Sequence, residues 1–398
     1  MVARHPPRPR KRWVASPERK PRQLPSSGRL YAPPNRRPIR QIGVSLKEAR
    51  QQPWAELLDY ARWAPSPHNT QPWKIKALSG GEAELYYDPK RLLTVEDGDY
   101  RFFFVAIGIF CESLKIAARG QGLEIVVDYV TDQITGDAGE PQLLANLSLR
   151  PSTTQEPLDP ELIKARRTSR LHYDGNPLSE LALSELAAEA ERFGHEFKHS
   201  SDGDFIKWVL ELDKETLFDD LQDRATREEI TSWFRFSAAE AEKNPDGLWS
   251  ECFGFPGWLL RFFLNRTYLL ELPVVKQATM AYYSRSMTGV ATVGWLAGPF
   301  LKTADWVSAG HMLARFWLVL TKHGGCLHPF GSVITNLRSH HQMAERLAES
   351  EEGDRFVWLL LRLGYSQEPP RSKRLAVADL LMAVEDQPRS SIQVEQFA

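Results

Sequence analysis

The chain has 398 residues, of which 42% are hydrophobic and 25% charged, a balance typical of a globular protein with room for two or three domains. Residues 1–40 hold twelve lysines and arginines against one glutamate, whereas the whole chain has a formal net charge of −1. The rest of the chain is therefore mildly acidic, which argues against nucleic-acid binding by that part. Three scattered cysteines without a CxxC pair, and ten histidines without an HExxH motif, argue against a disulfide scaffold and a metal site and favour the cytoplasm.

The first 40 residues combine their cations with nine prolines and few apolar side chains. Such a segment cannot bury enough surface to offset the entropy lost on ordering, so we predict a disordered arm. It is either a solvated tail or a functional arm that contacts nucleic acid or an anionic membrane. No apolar segment follows Arg36-Arg37, so an export signal is not indicated.

A helical pattern from Ser45 stops at Pro65, and a run of hydrogen-bonding side chains follows: Ser66, His68, Asn69, Thr70 and Gln71. Pro65, Pro67 and Pro72 restrict the backbone of this run. The pattern predicts a rigid polar loop between a helix and a strand. Such a loop either holds a flat ligand with polar edges or caps the ends of its neighbours.

The next elements follow from alternation and periodicity. Trp73–Leu78 and Glu84–Asp88 alternate as a β-hairpin, residues 102–122 form an apolar packing helix, and Leu123–Val130 and Leu143–Leu149 are rich in strand formers. A charged connection precedes the helix, and its residues are expected to form surface ion pairs worth little each: Asp88, Arg91, Asp99 and Arg101.

A second polar cluster lies ahead of an amphipathic helix that begins near Ser179. It contains Arg166, Arg167, Thr168, Ser169 and Arg170. Guanidinium forks match phosphate oxygens and hydroxyls donate to them, so the cluster is either a phosphate cradle or a solvated basic turn.

The last part of the chain contains an aromatic-rich stretch at about residues 205–300, a second packing helix at 305–325, and a buried strand at Phe356–Gly364. We interpret the aromatic stretch as a helical cap insertion, and the cations within Phe253–Leu270 argue against a membrane span. Asp246-Gly247 predicts a turn inside the cap. Arg371 and Arg374 lie in a C-terminal basic segment.

The run A-x-x-A-P-S-x-x-N-x-Q-P-W resembles the flavin loop of the FMN-dependent nitroreductase family. The resemblance implies flavin contacts at Pro65, Ser66, Asn69 and Gln71. The Arg166–Arg170 run is similar to the R-R-S-x-R segment that holds the FMN phosphate in that family, which implies the same role for Arg166, Arg167, Ser169 and Arg170. The likeness extends to Asp246 and Gly247 as a turn facing the flavin, and to Arg371 and Arg374 as a basic segment reaching the phosphate.

In single-domain nitroreductases the arginine segment precedes the loop, whereas here it follows, as if two units were fused. Val105, Gly108 and Gly122 also recur at one constant offset as Val307, Gly310 and Gly324. We therefore predict an α+β fold of the nitroreductase-like type, a tandem pseudo-dimer. Residues 41–155 form its first half, and residues 156–398 form its second half, which carries the cap.

The resemblance implies an oxidoreductase that uses NAD(P)H and FMN to reduce a nitro compound or quinone in two-electron ping-pong steps, since the flavin carries the reactivity and no catalytic side-chain set is needed. The alternative is a non-catalytic FMN-binding or storage protein whose cap closes over the flavin. A weaker alternative is a flavin-dependent dehydrogenase of a biosynthetic intermediate. We expect a monomer with a small-molecule electron acceptor and neither a nucleic-acid nor a membrane partner.

Overall fold

The computed structural model of the chain describes residues 46–78, 81–137, 139–347 and 355–383. The basic arm predicted for residues 1–40 lies outside these residues. In chain order the helices are α1 (Leu46–Ala61), α2 (Arg101–Arg119), α3 (Glu161–Ala165), α4 (Glu180–Glu191), α5 (Gly203–Asp220), α6 (Arg224–Trp233), α7 (Ala238–Lys243), α8 (Gly257–Leu264), α9 (Pro273–Ser286), α10 (Thr303–Lys322), α11 (Gly331–Thr335), α12 (Leu337–Leu347) and α13 (Val377–Leu380). The strands are β1 (Trp73–Ala77), β2 (Glu82–Tyr87), β3 (Leu123–Tyr129), β4 (Gln142–Pro151), β5 (Glu196–Ser200), β6 (Phe234–Arg235), β7 (Leu248–Trp249), β8 (Thr292–Pro299), β9 (Cys326–Pro329) and β10 (Arg355–Gly364).

The first sheet is antiparallel, with the strand order β1-β2-β4-β3. The predicted hairpin is confirmed, because β1 pairs with β2 in a register that sets Trp73 opposite Tyr87. Burial alternates along β1, so Trp73 and Ile75 face the core while the lysines between them do not. The ring of Trp73 stacks on Phe110 of α2, with the ring centroids 4.6 Å apart.

The second sheet repeats this connectivity with the strand order β5-β8-β10-β9, again antiparallel. In each sheet the long helix, α2 or α10, lies in the chain between the second strand and the third. The strands β8 and β10 are buried along nearly their whole length, because elements pack on both faces. The two mixed units of helices and antiparallel strands confirm the α+β fold class.

The helices α2 and α10 cross in close contact at two glycines. A Cβ on Gly108 would lie 2.2 Å from the carbonyl oxygen of Val307, and a Cβ on Gly310 would lie 2.2 Å from that of Val105. No side chain fits at either position, which explains why small residues recur at the constant offset found in the sequence. The predicted packing of these two helices is confirmed. The tandem pseudo-dimer of two fused units stays a prediction. The boundary at residue 155 stays a prediction.

Between the neighbouring strands β5 and β8 the chain leaves the sheet and forms α5 to α9. Part of this segment has its own apolar cluster, built on Ile230, Phe234 and Leu264. The predicted cap at about residues 205–300 is too long at its end, because Thr292–Pro299 form β8 of the second sheet. We call residues 203–286 the cap. Within the described residues, no helix has both the length and the apolar character needed to cross a bilayer.

Candidate functional site

The polar loop after α1 has an unusual backbone. His68, Asn69 and Gln71 have φ angles of 46°, 56° and 51°, in the left-handed region that residues other than glycine seldom adopt. The Oγ of Ser66 accepts a hydrogen bond from the backbone N–H of Gln71 at 2.9 Å and so closes the loop. Strained loops of this kind persist where the surrounding contacts over-determine them.

Asn69 and Gln71 supply those contacts. The Nδ2 of Asn69 donates to the carbonyl oxygens of Gly247 and Lys373, each at 3.1 Å. The Nε2 of Gln71 donates to the carbonyl of Pro245 at 3.0 Å, and its Oε1 accepts from the N–H of Leu375 at 2.9 Å. Both amides were expected to contact a flavin. The structure places them between the loop and two distant segments, and leaves the Oδ1 of Asn69 buried without a hydrogen-bond partner among the described residues. The flavin contacts stay a prediction.

The predicted Asp246-Gly247 turn lies directly against the loop. The N–H of Gly247 donates to the carbonyl of Asn69 at 3.1 Å. The carboxylate of Asp246 pairs with Arg91 at 3.0 Å and with Arg235 at 2.5 Å. The expectation that Arg91 forms only a surface ion pair is wrong, because this guanidinium ties the cap to the loop and also donates to the carbonyl of Thr70.

Five arginines gather around Trp63, and we call them the arginine cluster: Arg62, Arg166, Arg167, Arg371 and Arg374. The guanidinium of Arg371 lies 3.2 Å from the centroid of the Trp63 ring, and Arg166 stacks on Trp317 at 4.3 Å. Two segments far apart in sequence therefore meet here, as predicted for a shared phosphate site. The loop motif leaves Arg62 and Trp63 unspecified, because they are its two x positions between Ala61 and Ala64.

Within the cluster the hydrogen bonds go mostly to carbonyl oxygens. Arg166 donates to Trp63, Arg167 and Arg371 donate to Lys164, and Arg374 donates to Lys373. Among the described residues the cluster has two carboxylate partners. Asp59 lies 3.3 Å from Arg62, and the exposed Glu368 lies 3.4 Å from Arg167.

Several donors of the cluster are left over. The Nη1 of Arg166 and the Nε atoms of Arg167, Arg371 and Arg374 are buried and have no hydrogen-bond partner within the described part of the chain. Burial and then the like-charged neighbours lower the pKa of Arg166 well below its ordinary value. The same causes lower the pKa of Arg371 to about 10 and that of Arg374 to about 9. Unpaired guanidiniums that repel one another form a site for an added anion.

The arginine run does not act as one unit. Arg166 and Arg167 join the cluster, whereas the Oγ of Ser169 is buried against Ser366 Oγ at 2.7 Å. Arg170 stacks on Phe253 of the cap at 4.3 Å. Four of the eight residues predicted from the two basic segments and the turn, namely Arg166, Arg167, Arg371 and Arg374, are thus brought together.

A cavity of about 460 Å³ lies between the loop, α2, α10 and the cap. Pro65 and Ser66 line it from the loop, and Trp317 lines it from α10. The cap supplies nearly half of the lining residues, most of them aromatic or leucine. Trp317 also carries the stacked Arg166 on its ring, so the cavity and the arginine cluster adjoin through this one side chain.

Titratable side chains form the polar part of the cavity wall. The Nε2 of His68 lies 2.8 Å from Glu96, and the carboxylate of Asp97 accepts from the N–H of Phe103 at the start of α2. The Oδ2 of Asp213 accepts from the hydroxyl of Tyr283 at 2.7 Å. Burial raises the pKa of both Asp97 and Asp213 to about 6. Among the described residues, no group of His, Cys, Asp and Glu is arranged to hold a metal ion.

No protein-family model and no curated protein matches the chain. Solved structures with a similar fold include a nitroreductase-like family protein from Bacillus cereus, at 14% identity and a TM-score of 0.32, covering 59% of this chain and 100% of that one. An FMN-dependent nitroreductase from Mycobacterium smegmatis in complex with NADPH has 16% identity and a TM-score of 0.32, over 56% and 97% of the two chains. A nitroreductase with bound FMN from Bacteroides fragilis has 12% identity and a TM-score of 0.31, over 59% and 97%. These neighbours bear the name of the family that the loop motif resembles.

Proposed function

We propose that the chain is an FMN-dependent oxidoreductase of the nitroreductase type, which uses NAD(P)H to reduce a small organic acceptor. The observation that carries this proposal is the arginine cluster, with four buried and unpaired donor atoms beside a largely apolar cavity. A phosphate would supply the missing acceptors, and an apolar cavity of this size accepts a planar ring.

The residues present fit FMN in two of three respects. Arg166, Arg167, Arg371 and Arg374 would hold the phosphate, because their free donors and mutual repulsion call for an anion. The cavity walls between Pro65 and Trp317 would enclose the ring. Asn69 and Gln71 fit less directly, since they already bind backbone groups, and they act by holding the loop in place.

When bound, FMN supplies the transfer of two electrons as hydride, so the chain needs no nucleophile of its own. The side chains of the chain bind and orient. The apolar walls exclude water from the cavity, and the His68–Glu96 pair fixes the polar edge of the loop. As partners we propose NAD(P)H and a small-molecule acceptor, with the chain working as a monomer in the cytoplasm and without a nucleic-acid or membrane partner.

A second function is favoured by one observation. Because the cap supplies nearly half of the cavity wall, a bound ring would be covered by protein, which suits storage of FMN better than repeated exchange of substrates. The two functions share the phosphate site and differ in whether NAD(P)H reaches the cavity.

The test begins with the visible spectrum of the purified chain and the FMN released on denaturation, for which we expect about one FMN per chain. Arg374→Gln removes a charged donor and should weaken FMN binding by about ten- to a hundredfold. Arg266→Gln is the matched control, because Arg266 is an exposed cap arginine stacked on Phe262. Equal FMN affinity in both variants would refute the phosphate site.

Anaerobic stopped-flow mixing with NADH or NADPH then separates the two functions. Rapid loss of the flavin absorbance indicates a reductase. A flavin that stays oxidised on the time scale of turnover, roughly seconds, indicates storage.

A further inference from the structure

Arg170 belongs to the predicted phosphate segment by sequence, yet its side chain faces the cavity. It lines the cavity together with Thr168, and its guanidinium lies 4.3 Å from the ring centroid of Phe253. Among the described residues, its side chain forms no hydrogen bond and no ion pair. A cation that lines a cavity and lies on an aromatic face, with no acceptor bound to it, is available to an incoming anion.

His328 provides a second, independent observation. Its side chain lines the same cavity, is only 9% exposed, and packs edge-on against Phe330 with the ring centroids 5.5 Å apart. The Nδ1 of His328 is buried and has no hydrogen-bond partner within the described residues. Burial and then the charges of Arg170 and Arg362 lower the pKa of this imidazole, so it is neutral and can donate one N–H to an acceptor.

The charges behind this wall favour an anion. Arg362 is fully buried on β10 and donates to the carbonyl oxygens of Ser286 and Ser169. Among the described residues, no carboxylate forms an ion pair with it. Asp213 is the nearby acid on the cavity wall, and its Oδ2 already accepts from Tyr283. The other acids of the cavity wall are engaged elsewhere, since Glu96 pairs with His68 and Asp97 accepts from the N–H of Phe103. Arg170 therefore has no carboxylate partner among the described residues and is available to an added anion.

We infer that the cavity binds a flat aromatic molecule carrying one carboxylate, which Arg170 and His328 hold while the aromatic side chains of the cap enclose the ring. The role of this ligand as the electron acceptor rests on the proposed function. Its binding does not, because the binding is argued from the residues that line the cavity. The proposed electron acceptor is then an aromatic acid, a narrower class than the small organic molecules of the proposed function.

The test measures binding of 4-nitrobenzoate and of its neutral isostere 4-nitrobenzamide to the full chain by isothermal titration calorimetry. In the wild type we expect the benzoate to bind about ten- to a hundredfold more tightly than the amide, because only the benzoate offers a charged acceptor to Arg170. Arg170→Gln should remove most of that preference while leaving binding of the amide unchanged. Arg266→Gln, an arginine that stacks on a cap phenylalanine outside the cavity wall, should keep the full preference.

Equal affinity for the two ligands in the wild type overturns the inference without any variant. So does an Arg170→Gln variant that keeps the preference, or one that instead releases FMN, since that result would return Arg170 to the phosphate site. A wild type that binds 4-nitrobenzoate selectively but contains no FMN supports the inference and refutes the proposed function, so the two failures are distinguishable.

Discussion

Two of the regions that hold buried arginine atoms treat these side chains in opposite ways. Arg315 on α10 is 2% exposed at the contact with α2, and its guanidinium pairs with Glu112 at 3.1 Å, Glu156 at 3.0 Å and Glu189 at 3.2 Å. The arginine cluster around Trp63 has no comparable set of carboxylates among the described residues.

The electrostatics follow this difference. Burial alone would lower the pKa of Arg315, but the hydrogen bonds and charges of Glu156 and Glu112 reverse the effect and raise it. Burial would likewise raise the pKa of Glu112, but the hydrogen bond from His311 and the charge of Arg315 bring it down to about 2. In the arginine cluster the pKa values of Arg166, Arg371 and Arg374 are all lowered. A buried arginine that is paired with carboxylates stabilises the fold. Buried arginines without carboxylate partners are instead placed to bind an external anion.

The largest loss of stability should follow the removal of Arg315 from its three glutamates. Arg315→Met leaves three glutamates without their shared cation, and the loss of one member of a buried ion-pair network costs about 3–5 kcal/mol. We expect the free energy of unfolding, measured by urea denaturation, to fall by that amount.

The matched variant is Arg166→Met, which removes a buried arginine from the cluster and keeps an apolar contact with Trp317. In the FMN-free protein we expect stability to stay the same or to rise, because one of several repelling charges is gone. A comparable loss of stability in both variants would show that the two regions do not differ as described.

Much of this arrangement follows from local sequence patterns. The hairpin β1–β2, the helices α2 and α10, and the polar loop were predicted because alternation, periodicity and proline positions act within short stretches of chain. The meeting of the segments that hold Arg166 and Arg371 was predicted from the family resemblance.

What the sequence could not show is the direction in which each polar side chain points. Asn69 and Gln71 bind backbone groups of residues 245–247 and 373–375, and such pairings depend on how distant segments close over one another. Arg170 and Ser169 are neighbours in a basic run, yet one faces the cavity and the other lies against Ser366, because successive residues of an extended segment point to opposite sides.

A smaller effect tests the unpaired region directly. If the arginine cluster is an anion site, inorganic phosphate should stabilise the FMN-free protein by mass action, by about 1.4 kcal/mol at ten times its dissociation constant. The measurement is urea denaturation in sodium phosphate against sodium chloride of equal ionic strength. Arg374→Gln should lose most of the phosphate effect, and equal stabilisation by chloride would contradict a specific site.

The last effect concerns pH, where an acid on the cavity wall and an acid at the helix contact should act with opposite signs. Asp213 on the cavity wall is 4% exposed, and burial raises its pKa from 3.8 to about 6. The folded state then binds this proton more tightly than the unfolded state, so stability should rise as the pH falls from about 7 through 6 and level off near 4. The lowered pKa of Glu112 at the helix contact has the reverse consequence, and its stabilisation should be lost as the pH falls from 4.5 toward 2.

Asp213→Asn removes the contribution of Asp213 and leaves that of Asp97, whose pKa burial also raises to about 6, because asparagine keeps an oxygen to accept the hydrogen bond from Tyr283 but cannot ionise. One linked proton changes stability by at most about 1.4 kcal/mol per pH unit, so we expect the variant to lose a slope of about 1 kcal/mol per pH unit between pH 6 and pH 4.5. The lower limb, below about pH 3.8, should be unchanged, since it belongs to Glu112 at the helix contact. Glu215→Gln, at an exposed position on the same helix α5, serves as the control and should keep the wild-type profile. An Asp213→Asn profile identical to that of the wild type would mean that the carboxyl group of Asp213 ionises in the folded state at little cost. The charges of Arg170 and Arg362 would then already be balanced by a carboxylate of the protein.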